Sequence, residues 1–245
     1  MRGVKDIMGM PVAVEVVGEA KPALDAVFEY FTQVDERFST YKPESEISKI
    51  NRGEIAEHAY SDKMREIFAL AEATKQETGG YFSITRPDGT IDPSGIVKGW
   101  AIRNAARLVE RMGHTNYFID VGGDIQSHGV DERDEAWTVG IRNPFDRTQI
   151  VKAVRPEGRG IATSGTYIRG QHIYDPHEPG RTIEDIVSLT VIGPDVYEAD
   201  RFATAAFAMG RRGIALIEGL PGFEGYQIDR EGIATMTSGF TQLLA

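Results

Sequence analysis

At 245 residues, with 41% hydrophobic and 26% charged positions, the chain has the composition of a globular protein long enough to bury a sizeable core. Its net charge of −10 excludes a broad basic footprint for nucleic acid, and the lack of cysteine excludes disulfides, thiolate metal sites, cysteine nucleophiles and cysteine-linked lipid anchors. No apolar run is long enough to span a bilayer and Met1 to Asp6 carry no secretory apolar stretch, so the chain as written is expected in the cytoplasm, or exported if a leader has been removed.

In chain order, residues 11–17 read as a strand, and residues 21–38 place Leu24, Val27, Phe28, Phe31, Val34 and Phe38 at helical spacing. A loop from Ser39 to Ser45 leads into a short helical turn ending at Asn51. Ser61 opens a second long helix with Met64, Ile67, Phe68 and Ala71 on one face, and Gly79-Gly80 stops it. A third long helix covers 95–112, with Gly113 as its stop, followed by a strand over 115–121 and the Gly122-Gly123 bend. Strands then crowd together at 124–128, 136–142, 149–154, 158–163, 171–174 and 186–192. An apolar helix over 195–210, a shorter one over 211–219 and a hairpin over 224–237 close the chain. Helices gathered early and late, with strands between, predict an α+β fold: mixed or antiparallel sheets flanked by helices, in one unit over 1–245 with room for two lobes.

Three clusters have the residue types of a chemical site. Ser94 and Gly95 stand where the third helix begins, Asp92 lies just upstream and Lys98 one turn in. A helix N-terminus offers N–H groups and partial positive charge to phosphate oxygens, and Lys98 adds a full charge; Ser94 also reads as an ordinary N-cap and Lys98 as a solvated charge. On the helix opening at Gly193, Asp195 and Glu198 have capping-box spacing, which leaves Asp200 unaccounted for beside Thr204, at the edge of an apolar arc of Val196, Ala199, Ala203, Ala206, Phe207 and Gly210. A carboxylate and a hydroxyl are hard oxygen donors suited to Mg²⁺; the alternative is a pairing of Asp200 with Arg201 or Arg169 and a back-bond from Thr204. The third cluster runs Thr163-Ser164-Gly165-Thr166-Tyr167 and then Gln171-His172-Ile173-Tyr174-Asp175-Pro176, a binding edge or simply a turn and an edge strand. His172 is the one histidine within such a polar group; His58, His114, His128 and His177 read as loop or surface residues. Asp120-Val121-Gly122-Gly123-Asp124 is a strand end at which the backbone bends tightly. There is no Gly-x-Gly-x-x-Gly opening a helix, no Walker A loop, no His-Glu-x-x-His and no Gly-x-Ser-x-Gly.

Taken in order, these strings resemble the ApbE-type FAD:protein FMN transferases. The resemblance begins with Met8-Gly9-Met10, Phe38-Ser39-Thr40-Tyr41 and Ser45 to Asn51. It continues through Ile91-Asp92 to Lys98-Gly99 and Ile119 to Asp124, then Ala162 to Tyr167, His172 to Pro176, and Ala199-Asp200 to Thr204. The resemblance implies an enzyme that binds FAD with Mg²⁺, splits its pyrophosphate, and moves FMN onto a Thr or Ser hydroxyl of an acceptor protein, releasing AMP. It implies that Asp200, Thr204 and the Gly95 carbonyl hold Mg²⁺, that Lys98 and Asp92 contact FAD, and that Met8, Tyr41, Ser164 and Ile173 line its site. Lys98 and Asp200 would act on the reacting phosphates and His172 as base toward the acceptor hydroxyl. Two departures stand out. The stretch between Gly80 and Asp92 is shorter than in many relatives, leaving Ser83 to Arg86 to complete the flavin pocket. Many bacterial relatives are exported lipoproteins, whereas this chain shows neither leader nor anchor cysteine, so a cytosolic acceptor, or none, is expected. An Mg²⁺-dependent FAD pyrophosphatase and a non-catalytic flavin-binding protein are the competing readings.

Overall fold

The chain opens with a hairpin in which β1 (Arg2–Ile7) and β2 (Met10–Val16) pair antiparallel, Ile7 opposite Met10. The two connecting residues, Met8 and Gly9, have φ of 59° and 72°, the left-handed pair that a type I′ turn requires. The computed structural model describes residues 1–166, 173–178 and 182–245. β1 precedes the strand expected at 11–17; it is a sheet edge with mostly exposed side chains, so its sequence carries no apolar alternation.

The helices follow their apolar stripes. α1 (Lys21–Phe38) buries Leu24, Val27, Phe28, Phe31, Val34 and Phe38. α2 (Glu46–Asn51) and α3 (Asp62–Glu77) are capped by Ser45 and Ser61, whose hydroxyls accept from the Ser48 and Met64 N–H groups. α4 (Ser94–Arg111) is followed by β3 (Tyr117–Val121) and β4 (Asp124–His128). Next come β5 (Val139–Arg142), β6 (Ile150–Val154), β7 (Gly160–Gly165) and β8 (Ile186–Gly193). α5 (Val196–Ala208), α6 (Gly213–Glu218), β9 (Glu224–Asp229) and β10 (Ala234–Met236) complete the order.

Eight strands form one sheet in the order β1-β2-β3-β4-β7-β8-β9-β10, antiparallel throughout; β5 and β6 pair separately as a hairpin. The fold is thus α+β, with the antiparallel alternative realised. Val12, Val14, Val16, Ile119 and Val121 share a core with α1 and α4, while Ala162, Leu189 and Val191 share a second with α5 and α6. Strand alternation sends Ile125, Ile161 and Ile192 to the opposite face, where Val139, Ile141 and Val154 of the small hairpin and the C-terminal Phe240 cover them. The strand expected at 158–163 lies two residues later. Its first residue, Gly160, abuts the start of α5 so closely that a Cβ there would stand 1.9 Å from the Val196 nitrogen. Residues 167–172, which hold the first half of the strand expected at 171–174, lie outside the described residues; Tyr174 makes an isolated bridge to Thr182.

Candidate active site

The site begins where α4 and α5 touch. A Cβ on Gly99 would lie 2.7 Å from the Asp200 Cβ and 2.9 Å from the Val196 carbonyl oxygen, so glycine alone permits this approach. The Gly99 N–H donates to Asp200 Oδ2 at 2.8 Å. Asp200 is therefore sealed between two helices, 3% exposed, and not at the edge of the apolar arc. Arg201, a partner considered for it, turns away to Glu198 and Glu77 and lies over the Tyr197 and Phe202 rings. Arg169 lies outside the described residues.

A second carboxylate meets Asp200 from the sheet. Asp124, the first residue of β4, is 1% exposed and accepts the Thr163 N–H of β7 on Oδ1 at 3.1 Å. Lys98 reaches between the two acids, its Nζ 2.6 Å from Asp124 Oδ2 and 3.7 Å from Asp200 Oδ1. Burial raises the Asp200 pKa from its ordinary 3.8 to about 7; Lys98 opposes the rise and the neighbouring Asp124 adds to it. Asp124 was read in the sequence as the end of a tight bend and of one string of the resemblance, with no role of its own. Its signal was an acid leading a strand that is otherwise buried at Ile125, Gln126 and Ser127.

The start of α4 differs from expectation. Pro93 holds the N-cap position, Ser94 is the first helical residue, and its N–H is capped by Asp92 Oδ1 at 3.0 Å. The other oxygen of Asp92 pairs with Arg86. The Ile96 and Val97 N–H groups bond to the Pro93 carbonyl, so a phosphate reaching this terminus would rely mainly on Lys98. Gly95 faces α5, where a Cβ would lie 3.4 Å from Thr204 Cγ2 and 3.7 Å from its hydroxyl.

These groups line two adjoining cavities. One, about 250 Å³, has Gly95, Lys98, Asp200 and Thr204 in its wall together with Ser164 and Ile173. Ser83, Ile84 and Arg86 close it on the side of the 80–92 stretch, which is braced by a Thr85–Ile91 bridge and by the Tyr174 hydroxyl donating to the Thr85 carbonyl at 2.6 Å. The other, about 500 Å³ and more apolar, is walled by Met8, Val34, Phe38, Tyr41 and Val97. Gly9, Met10, Asp92, Ser94 and Lys98 border both. Of the site residues read from the sequence, all except His172 therefore come together, and His172 lies outside the described residues. Thr163 to Gly165 belong to β7 and not to a turn. His177 is exposed, its Nε2 2.9 Å from the Gly79 carbonyl.

Two carboxylates, a hydroxyl and a glycine carbonyl are all hard oxygen donors, and the Asp124 Oδ2 atom is sealed from solvent without an aligned hydrogen bond. This donor set fits Mg²⁺ better than a soft transition metal. Among the described residues no group of three or more His, Asp or Glu side chains could hold a metal, so these two acids would need the hydroxyl and carbonyl oxygens beside them, and no helix is long and apolar enough to cross a membrane.

A family model described as the ApbE family matches residues 8–88 and 84–226. The FAD:protein FMN transferase of Salmonella typhimurium is 35% identical over 156 residues, covering 60% of this chain and 44% of that protein. The one from Escherichia coli K12 is 35% identical over 162 residues, covering 62% and 46%. The matched part thus spans less than half the length of these relatives. Flavin transferase ApbE from Vibrio cholerae superposes with a TM-score of 0.86 at 24% identity, covering 100% of this chain and 99% of that one. The ApbE protein from Thermotoga maritima gives 0.88 at 20% identity, with 100% and 99% coverage. At these identities the structural likeness establishes a shared fold.

Proposed function

The chain belongs to the ApbE family, and from that premise we propose that it is a Mg²⁺-dependent FAD:protein FMN transferase, which cleaves the FAD pyrophosphate, joins FMN to a Ser or Thr hydroxyl of an acceptor protein and releases AMP. The observation that most supports this reading is the meeting of Lys98, Asp200, Thr204 and Gly95 in one cavity wall, with Lys98 at the border of a larger, more apolar chamber. A dinucleotide needs such a division, with a charged middle for its phosphates and separate room for a ring system.

Asp200, the Thr204 hydroxyl and the Gly95 carbonyl would hold the ion, whose chemistry is to neutralise charge on the pyrophosphate oxygens. Lys98 places a positive charge at the same centre and stabilises the charge that develops there. In the transfer the acceptor oxygen bonds to the FMN phosphorus, the bond from that phosphorus to the bridging oxygen breaks, and the bridging oxygen departs with AMP. The acceptor hydroxyl loses its proton to a base, the role proposed for His172. Met8, Tyr41, Ser164 and Ile173 serve to bind and orient FAD, and Asp92 holds the start of α4 beside it.

The test is incubation with FAD and Mg²⁺, following AMP, free FMN and protein-bound flavin, with and without a flavoprotein acceptor bearing a Ser/Thr flavinylation site. AMP in step with covalent flavin on the acceptor is expected. AMP with free FMN, indifferent to the acceptor, would make the protein a hydrolase; FAD binding without AMP would make it a binding protein. His172→Ala should slow transfer by roughly 10²–10⁴-fold, the usual scale for a general base, and leave FAD affinity nearly unchanged.

A further inference from the structure

Asp124 and Asp200 come from different elements but are held in the same way. Each gives one oxygen to a backbone N–H, Asp124 Oδ1 to Thr163 of β7 and Asp200 Oδ2 to Gly99 of α4. Each leaves its second oxygen turned toward one point, and the Lys98 ammonium occupies that point, 2.6 Å from Asp124 Oδ2 and 3.7 Å from Asp200 Oδ1. Both acids are almost fully buried, and Asp124 Oδ2, despite the short approach of Lys98, accepts no aligned hydrogen bond. A buried carboxylate oxygen anchored on its far side and unaligned on its near side is a ligand position filled by a point charge. We propose that Asp124 is a second carboxylate of the cation site, and that the Lys98 ammonium occupies this site in the metal-free protein and is displaced from it by the divalent ion.

The charge arithmetic favours the exchange. Two ionised acids and one ammonium leave the pocket with one negative charge in excess, whereas a dication balances both acids. Lys98 and a dication cannot share the position, because like charges at contact distance in a buried site repel strongly. Arrival of the ion therefore turns Lys98 toward the cavity, where the reading above needs a positive charge on the phosphates. The lysine would be a resident counter-ion first and a substrate contact second. This inference rests on the metal-site reading of Asp200 and adds to it a ligand and an order of events.

Mn²⁺ serves as the probe, titrated into metal-free protein without FAD and followed by the loss of its free-ion electron paramagnetic resonance signal, with thermal melts alongside. Asp124→Asn keeps the volume and the Thr163 bond, and is expected to weaken Mn²⁺ at least tenfold. Lys98→Met is expected to tighten Mn²⁺ at least tenfold and to lower the metal-free melting temperature, a loss that Mn²⁺ restores. Arg86→Met, which removes a cation from the same cavity wall but not from between the acids, should change affinity much less. Parent-like binding by Asp124→Asn, with Asp200→Asn failing to bind, would overturn the inference while leaving the Asp200 site in place. Equal gains in Lys98→Met and Arg86→Met would reduce the lysine to general electrostatics and also overturn it. Lack of Mn²⁺ binding in every variant, Lys98→Met included, would remove the metal reading itself.

Discussion

Gly99 shows how much of the site depends on a side chain that is not there. A methyl group at this position would lie 2.7 Å from Asp200 Cβ and 2.9 Å from the Val196 carbonyl oxygen, and neither neighbour can move without separating α4 from α5. Gly99→Ala should therefore cost about 1–3 kcal/mol, read as a fall of roughly 2–4 °C in melting temperature per kcal/mol for a chain of this size. An unchanged melt would mean that the helices do not meet as described. Thr204→Val keeps the shape against Gly95 and removes only the hydroxyl; it should leave the melt near the parent and weaken Mg²⁺ less than Asp200→Asn does, since a carboxylate holds a dication better than a neutral oxygen. The chemistry of these residues was legible in the sequence: Asp200 and Thr204 stand one turn apart, and neither is needed for the capping box. Their burial was not. A helical wheel puts Asp200 at the edge of the apolar arc because it cannot see that the facing helix carries glycine at the point of contact.

At the scale of elements, α4 depends on its first turn. Asp92 reaches over Pro93 to cap the Ser94 N–H and pairs with Arg86 through its other oxygen. Asp92→Ala should lower stability by about 1 kcal/mol, the usual loss for an N-cap acceptor, while Asp92→Asn, an equally good cap, should melt near the parent. If both variants melt alike and low, the Arg86 pairing and not the cap holds the helix start. Long helices were plain in the sequence because α1, α3 and α4 each bury one face and α5 is buried almost all round, with only Glu198 and Thr204 left partly exposed. The cap was misplaced because Ser94 has the chemistry of an N-cap, while Asp92 sits one proline further out. The edge strand β1 was missed because an edge need not alternate. β7 begins later than expected because its glycine is required by the start of α5, a contact between segments far apart in the chain.

For the whole molecule, the decisive step is the sheet order, which passes from β4 directly to β7 and sends β5 and β6 out to cover the far face. That step lays Asp124 beside Thr163, and the packing of α5 on β7 and β8 and against α4 then delivers Asp200 and Thr204 to the cleft that Met8, Asp92 and Lys98 border. No local pattern announces such a junction; only the order of several short strings along the chain pointed to it. Two buried acids at this junction work against the fold whenever no cation balances them, and the sign can be worked out for Asp200. Its folded-state pKa is raised from 3.8 to about 7, so between those values the folded chain keeps a proton that the unfolded chain releases. Stability from this group is thus fullest below about pH 4, falls as the pH rises toward 7, and changes no further above it. The slope is at most about 1.4 kcal/mol per pH unit. Asp200→Asn has no proton to lose, so in metal-free buffer the parent should lose melting temperature relative to the variant across that window and run parallel to it above. Saturating Mg²⁺ should restore the parent at pH 8 and leave the variant where it was. Parallel melts from pH 4 to pH 7 would mean that Asp200 is ionised in the fold throughout, its charge carried by Lys98 alone.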